Sequence, residues 1–293
     1  YLYSFLNLML KIKSIETLGI LFAIGAYLSF SLLDAIQKTA VITHSIFQIL
    51  AVKYFFCILL SIIESKRKNN FNFYSSNNFK IQFFRCFLSI LESGCFVLAL
   101  RYLSLADAHS IGSLTPVIVV ALSAVFLQEK VSLKIWIAIF IGFLGVLIIM
   151  RPGLSIFNPY SIIPLLGAFF LGLYQIVTRK TSMFDSNETM LFYNGVIGFI
   201  IMLLFAFFNW QSLHLNSFVL LTGVGIFFSL GLYLQIIALS KARASIIQPF
   251  HYTLIFWAII FGLIFYKDVP DLFTIIGALI IVFSGIYVLR QKN

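Results

Sequence analysis

Residues 81–101 read IQFFRCFLSILESGCFVLALR, an apolar stretch that carries Arg85 and Glu92 inside it. A helix needs roughly 20 apolar residues to cross a bilayer, and this stretch has that length. At about 1.5 Å of rise per residue, Arg85 falls near one boundary and Glu92 near the midplane. Seven residues apart, the two share one helix face. A charge facing lipid costs about 2.5–3.5 kcal/mol on insertion scales, so such groups turn toward a polar cavity or a partner. Arg85 is long enough to snorkel to the boundary, and that is the expectation for it. Glu92 is too deep and too short, and is expected to be paired, protonated or facing a hydrated cavity.

Two more charges extend the pattern. Lys53 lies within the apolar stretch 45–63, at a depth similar to Glu92, and Asp34 near the end of the stretch 17–37. A Lys53–Glu92 pair would hide both charges, whether as a fixed strut or as a pair that opens around a solute. Asp34 fits either an i,i+4 surface pair with Lys38 or an outer gate. All four charges sit in the first third of the chain, and the second half has neutral groups at the corresponding depths. The implication is a polar pathway through a membrane protein.

Composition sets the class. With 293 residues, 61% hydrophobic, 10% charged and a mean hydropathy of +1.04, the chain is no ordinary soluble globule, which carries about 25% charged residues. Apolar stretches near 17–37, 45–63, 81–101, 106–127, 132–150, 160–178, 188–208, 216–239, 244–266 and 271–289 predict an all-α integral membrane protein with ten transmembrane helices. The short alternating segments of a barrel are missing from the sequence. Residues 1–16 read as a short interfacial tail.

The net charge of +10 would suit nucleic acid, but its distribution excludes that partner. With the N-terminus inside, the cytoplasmic segments hold Lys11, Lys13, Lys66, Arg67, Lys68, Lys80, Lys130, Lys134, Arg179, Lys180, Lys241, Arg243, Arg290 and Lys292. The other side holds Lys38, Arg101, Arg151 and Lys267. That bias predicts both termini in the cytoplasm. Cys57, Cys86 and Cys95 lack metal-ligand spacing and read as packing residues. His44, His109 and His214 share no ligand spacing either, and no phosphate-binding Gly-x-x-x-x-Gly-Lys-Ser/Thr loop is present. No metal or cofactor is expected. A lipid-acting enzyme would need a convergent His/Asp/Ser set at one interface, and the sequence offers none.

The halves repeat. Gly25-Ala26 and Lys38-Thr39 match Gly167-Ala168 and Lys180-Thr181 at one offset, Leu103-Ser104 matches Leu239-Ser240, and Phe126-Leu127-Gln128-Glu129 aligns with Phe265-Tyr266-Lys267-Asp268. Five helices per copy is an odd number, so the copies have opposite orientations in the membrane: two five-helix inverted repeats.

The second half supplies Tyr174, Gln175, Tyr233, Gln235, Gln248, His251 and Tyr252, which can hydrogen-bond a solute without a permanent charge or can tie helices together. His251 is also the candidate for a proton-linked group. Pro116 and Pro249 interrupt helices 4 and 9 at roughly corresponding places, and paired breaks mark the hinge and binding region of repeat transporters. Gly142 with Gly145, Gly195 with Gly198, and Gly223 with Gly225 read as close-packing faces.

These motifs carry a resemblance. Ala99-Leu100-Arg101-Tyr102-Leu103-Ser104-Leu105-Ala106-Asp107-Ala108, Leu114-Thr115-Pro116, Arg151-Pro152-Gly153, Gln248-Pro249-Phe250-His251-Tyr252 and Asp268-Val269-Pro270-Asp271 are similar to EamA-type members of the drug/metabolite transporter superfamily. Lys53 stands where that family usually has Arg, and Asp268 where it usually has Glu. The resemblance implies repeats over 17–151 and 159–290. It also implies a secondary transporter in the cytoplasmic (inner) membrane of a bacterium, working by alternating access around a central cavity. Export of an amino acid or related metabolite is the common role; uptake of a nucleoside-like cofactor such as S-adenosylmethionine is the alternative. Substrate or pathway residues are then expected at Glu92, Lys53, Tyr174, Gln175, Tyr233, Gln248, His251 and Tyr252, with Asp34, Pro116 and Pro249 at gates or hinges.

Overall fold

The computed structural model describes residues 2–103, 108, 111–150, 159–211, 214–261, 263–264 and 271–290. Helices follow one another as α1 (Leu2–Thr43), α2 (Ile46–Arg67), α3 (Phe79–Tyr102), α4 (Thr115–Phe126), α5 (Leu133–Met150), α6 (Ile162–Thr181), α7 (Asn187–Ala206), α8 (Leu215–Lys241), α9 (Ala244–Phe261) and α10 (Leu272–Arg290). There is no strand among the described residues. Seven of the helices are long and apolar enough to cross a membrane, and Thr115–Phe126, Leu133–Ile149 and Leu272–Tyr287 are shorter apolar helices. The chain is a multi-pass membrane protein.

Local sequence sets the ends. Ser45 caps α2 by accepting from the Gln48 N–H at 3.1 Å, Asn78 caps α3 through Ile81 at 3.2 Å, and Ser186 caps α7 through Thr189 at 3.1 Å. Within the expected tail, residues 2–16 carry no break and form the first turns of α1. Two of the helices are interrupted near a proline. In the fourth, Ala108, Ile111 and Gly112 are helical, Ser113–Leu114 form a turn, and a new helix starts at Thr115 with Pro116 in its first turn, where a missing N–H costs nothing. The ninth is broken: Pro249 lies in a 3-10 stretch, Gln248–Tyr252, between Ala244–Ile247 and Thr253–Phe261.

The faces are inverted relative to a soluble bundle. On α3, Phe83, Phe84 and Phe87 are exposed while Gln82, Arg85 and Ser89 are buried. An apolar outside over a polar inside is what lipid selects, since every internal polar group needs a protein partner.

The most extensive contacts pair α1 with α8, α2 with α7, α3 with α6 and α5 with α10. Glycines permit the close approaches. A Cβ on Gly195 of α7 would lie 2.7 Å from the Ile58 nitrogen of α2, and one on Gly277 of α10 only 2.6 Å from the Gly145 carbonyl of α5. Behind these seams, Tyr54, Cys57, Met190, Leu191, Phe228 and Ile236 belong to one buried apolar cluster. Cys57, Cys86 and Cys95 are free thiols.

Candidate functional site

Helical periodicity brings one set of side chains to the middle of the bundle. Tyr27, Phe30, Asp34 and Gln37 recur at spacings of three and four along α1, and Ser89, Glu92, Ser93 and Phe96 do so along α3. With Lys53 from α2, Tyr174 from α6, Phe228 and Gln235 from α8, and His251 and Tyr252 from α9, they line a cavity of about 130 Å³. Both halves of the chain contribute walls.

The charges lie on the first-half wall. Lys53 is buried, with its ammonium 4.9 Å from the centroid of the Phe228 ring. Among the described residues no salt bridge joins Lys53 to Glu92 or Asp34. Asp34, Lys53 and Glu92 nevertheless line the same cavity. The Glu92 carboxylate accepts from the Ser93 hydroxyl at 2.9 Å. Asp34 lies on the cavity wall, and the side chain of Lys38 is outside the described residues. Two carboxylates and one ammonium around a partly enclosed space can hold the two ends of a zwitterion, or a cation.

The second-half wall is neutral and aromatic. Tyr174 lines the cavity and its hydroxyl accepts from Arg85 at 3.1 Å. His251 packs on the Tyr27 ring at 4.9 Å between centroids. The Tyr252 hydroxyl donates to the Ile139 carbonyl at 3.3 Å, which holds its ring against the cavity and over Gly142.

Several expected residues lie elsewhere. Gln175 and Gln248 do not line this cavity; Gln248 Nε2 donates to Gln175 Oε1 at 2.8 Å, joining α6 to α9. Tyr233 is displaced further, into an ionic cluster at the end of α2: its hydroxyl donates to Glu188 at 2.7 Å and accepts from Lys68 at 3.0 Å. Lys68 pairs with Glu188 at 2.5 Å, and Arg67 with Glu64 at 2.5 Å. Arg85 does not snorkel. Its side chain is fully buried because α6 and α7 close over the face that the isolated helix would turn to the boundary. Glu129 caps a different helix from the one that follows it, accepting the Ala244 and Ser245 N–H groups of α9 at 3.0 and 3.1 Å. Arg151 and Asp268 lie outside the described residues. Sequence reasoning missed Tyr27, Phe30, Gln37, Phe96 and Phe228; for Gln37 and Phe96 the signal was their one-turn spacing from Asp34 and Glu92.

A bundle of lipid-facing helices around a polar cavity built from both halves defines a membrane protein that handles a small solute. The sequence model of the EamA-like transporter family matches the chain twice, at residues 17–151 and 159–290. The chain belongs to the EamA-like transporter family, and it is a small-molecule transporter. It is 26% identical over 288 residues to a riboflavin transporter of Vibrio cholerae, covering 97% of each chain. A pseudopaline exporter of Pseudomonas aeruginosa is 25% identical over 277 residues, which are 94% of this chain and 97% of that one. An S-adenosylmethionine uptake transporter of Rickettsia bellii is 26% identical over 178 residues, 61% of each chain. A solved crystal structure shares the fold with a TM-score of 0.82 at 13% identity, over 94% of this chain and 98% of the other.

Proposed function

We propose that the chain is a secondary transporter that moves an amino acid or related zwitterionic metabolite by alternating access through the central cavity, in the direction of export. One observation carries this reading: Asp34, Glu92 and Lys53 meet Tyr174, His251 and Tyr252 around a single cavity. Lys53 suits the solute's carboxylate and Glu92 or Asp34 its amine, while the rings cover an apolar part. Glu92 and His251 are the cavity groups that would carry a coupled proton.

A second reading, uptake of a nucleoside-like cofactor such as S-adenosylmethionine, is favoured by the excess of carboxylate over ammonium and by the rings of Tyr27, Phe30, Phe96 and Phe228. These suit a cationic, ring-bearing solute. The relative named for that activity adds support.

The proposed topology has ten spans in two inverted repeats, 17–151 and 159–290, with both termini cytoplasmic. Contacts between helix ends and connections support it. Ser76 with Asp185, Glu129 with Ser245 and Glu16 with Arg243 tie together segments that this topology puts at one end. Gln48 with Gln211 and Tyr102 with Tyr160 belong to the other. Packing also survives exchange of each helix with the one five places on: α1–α8 becomes α6–α3, and α4–α6 becomes α9–α1.

The test is thermal stabilisation of the purified protein by amino acids, their derivatives and adenosine-containing compounds, followed by counterflow in liposomes. Stabilisation by an amino-acid compound, weakened about tenfold in apparent affinity by Lys53→Met, is the expected result, the size of one lost charge-assisted contact. Stabilisation by S-adenosylmethionine alone selects the second reading. Stabilisation indifferent to both Lys53→Met and Glu92→Gln removes the cavity as the site.

A further inference from the structure

Arg85 is fully buried, yet among the described residues no carboxylate pairs with it. A buried guanidinium in that position is costly unless its N–H groups find acceptors. They find them on three helices. Nε donates to Gln82 Oε1 at 3.0 Å within α3, Nη1 to the Tyr174 hydroxyl of α6 at 3.1 Å, and Nη2 to the Met190 carbonyl of α7. Gln82 in turn donates to Asp185 Oδ2 at 2.7 Å. Asp185, in the α6–α7 connection, also accepts from the Ser76 hydroxyl at 2.5 Å and the Asn77 N–H at 2.9 Å, both in the α2–α3 connection.

The result is a buried chain of contacts, Tyr174–Arg85–Gln82–Asp185, from the cavity wall to a clamp between two connections. Two of its three links cross between the halves. Resting on the reading of the cavity as the solute site, we infer that Arg85 is a positioning residue that couples Tyr174 to the Asp185 clamp. The clamp keeps this end of the transporter closed until a solute displaces the Tyr174 ring. The guanidinium is the right part for that task. Its donors form one rigid plane, so a turn that follows the Tyr174 hydroxyl also swings Nε away from Gln82. Gln82 then loses its fixed orientation toward Asp185. A lysine, with a freely rotating ammonium, would not transmit the turn.

The experiment follows closure without any solute. Phe96→Cys, on the cavity wall, is placed in a background with Cys95→Ala and labelled with an impermeant methanethiosulfonate applied from the side of the α2–α3 connection. Gln82→Glu sets a carboxylate against Asp185 and raises the labelling rate about tenfold by shifting the closed population. Gln82→Glu with Asp185→Asn restores the hydrogen bond with reversed polarity and returns the rate to that of the parent. Tyr174→Phe, at the cavity end, removes the hydroxyl that orients Arg85 and raises the rate as well. Should Gln82→Glu fail to insert, Asp185→Asn alone gives a smaller rise. The inference is overturned by an unchanged rate in Tyr174→Phe, in Gln82→Glu or in the fallback Asp185→Asn, or by a Gln82→Glu effect that Asp185→Asn does not reverse. Because no solute is present, these outcomes are independent of the stabilisation assay that judges the cavity itself.

Discussion

Phe228 stands where a counter-ion for Lys53 was one expectation, with the ring centroid 4.9 Å from the ammonium. That geometry separates two roles for Glu92. Removing one member of a buried ion pair costs about 3–5 kcal/mol, because the other charge is stranded. With no Lys53–Glu92 salt bridge among the described residues, Glu92→Gln should cost less than about 1 kcal/mol and leave inserted, folded protein. Flux should nevertheless fall, and Lys53→Met added to Glu92→Gln should not recover it. Full flux in the double variant would make the pair a strut. Asp34, Lys53 and Glu92 were legible because a charge in an apolar helix is expensive wherever it sits. Tyr27, Phe30 and Phe228 were not, since an aromatic residue reads alike whether it faces lipid, a neighbour or a cavity. Arg85 was misplaced for a related reason: its depth permits snorkelling, and only the packing of α6 and α7 decides otherwise.

At the scale of elements, α9 shows how one side chain can hold a broken helix in place. Its first segment is four residues, Ala244–Ile247, too short to be stable alone, and it leads into the 3-10 stretch around Pro249. Glu129 supplies what the segment lacks. The carboxylate takes the N–H groups of Ala244 and Ser245 and, at 2.5 Å, the Ser245 hydroxyl. Glu129→Ala is therefore expected to cost about 1–2 kcal/mol, at the upper end for a cap because the carboxylate is charged. Glu129→Gln should cost less, since an amide oxygen still accepts. The check is the melting temperature in detergent; equal losses in the two variants would mean that side-chain volume, not capping, is what matters. The proline made the break at α9 readable from sequence. The capping partner was not readable, because Glu129 precedes α5 in the chain and the helix it serves begins more than a hundred residues later. Only the fold brings them together.

For the molecule as a whole, the proposed topology rests on an odd number of helices per repeat. An odd number requires opposite orientations, and the charge bias then chooses which end is cytoplasmic. Contacts at helix ends and connections are consistent with that proposal, with Asp185 reaching Ser76 at one end and Gln48 reaching Gln211 at the other. Cysteine labelling tests the orientation directly, and the structure says where to place the probes. Asn69, in the basic connection after α2, has φ 54°, a left-handed conformation that Asn tolerates and Cys does not readily adopt. Ser75, exposed in the same connection, has no such constraint, and Gln211 is exposed at the opposite end. In intact expressing cells, Ser75→Cys should stay unlabelled by an impermeant thiol reagent until the membrane is opened, while Gln211→Cys should be labelled at once. The reverse pattern would turn the protein over and place the basic connections outside, against the charge bias. Labelling of both from outside would break the parity and with it the inverted repeat.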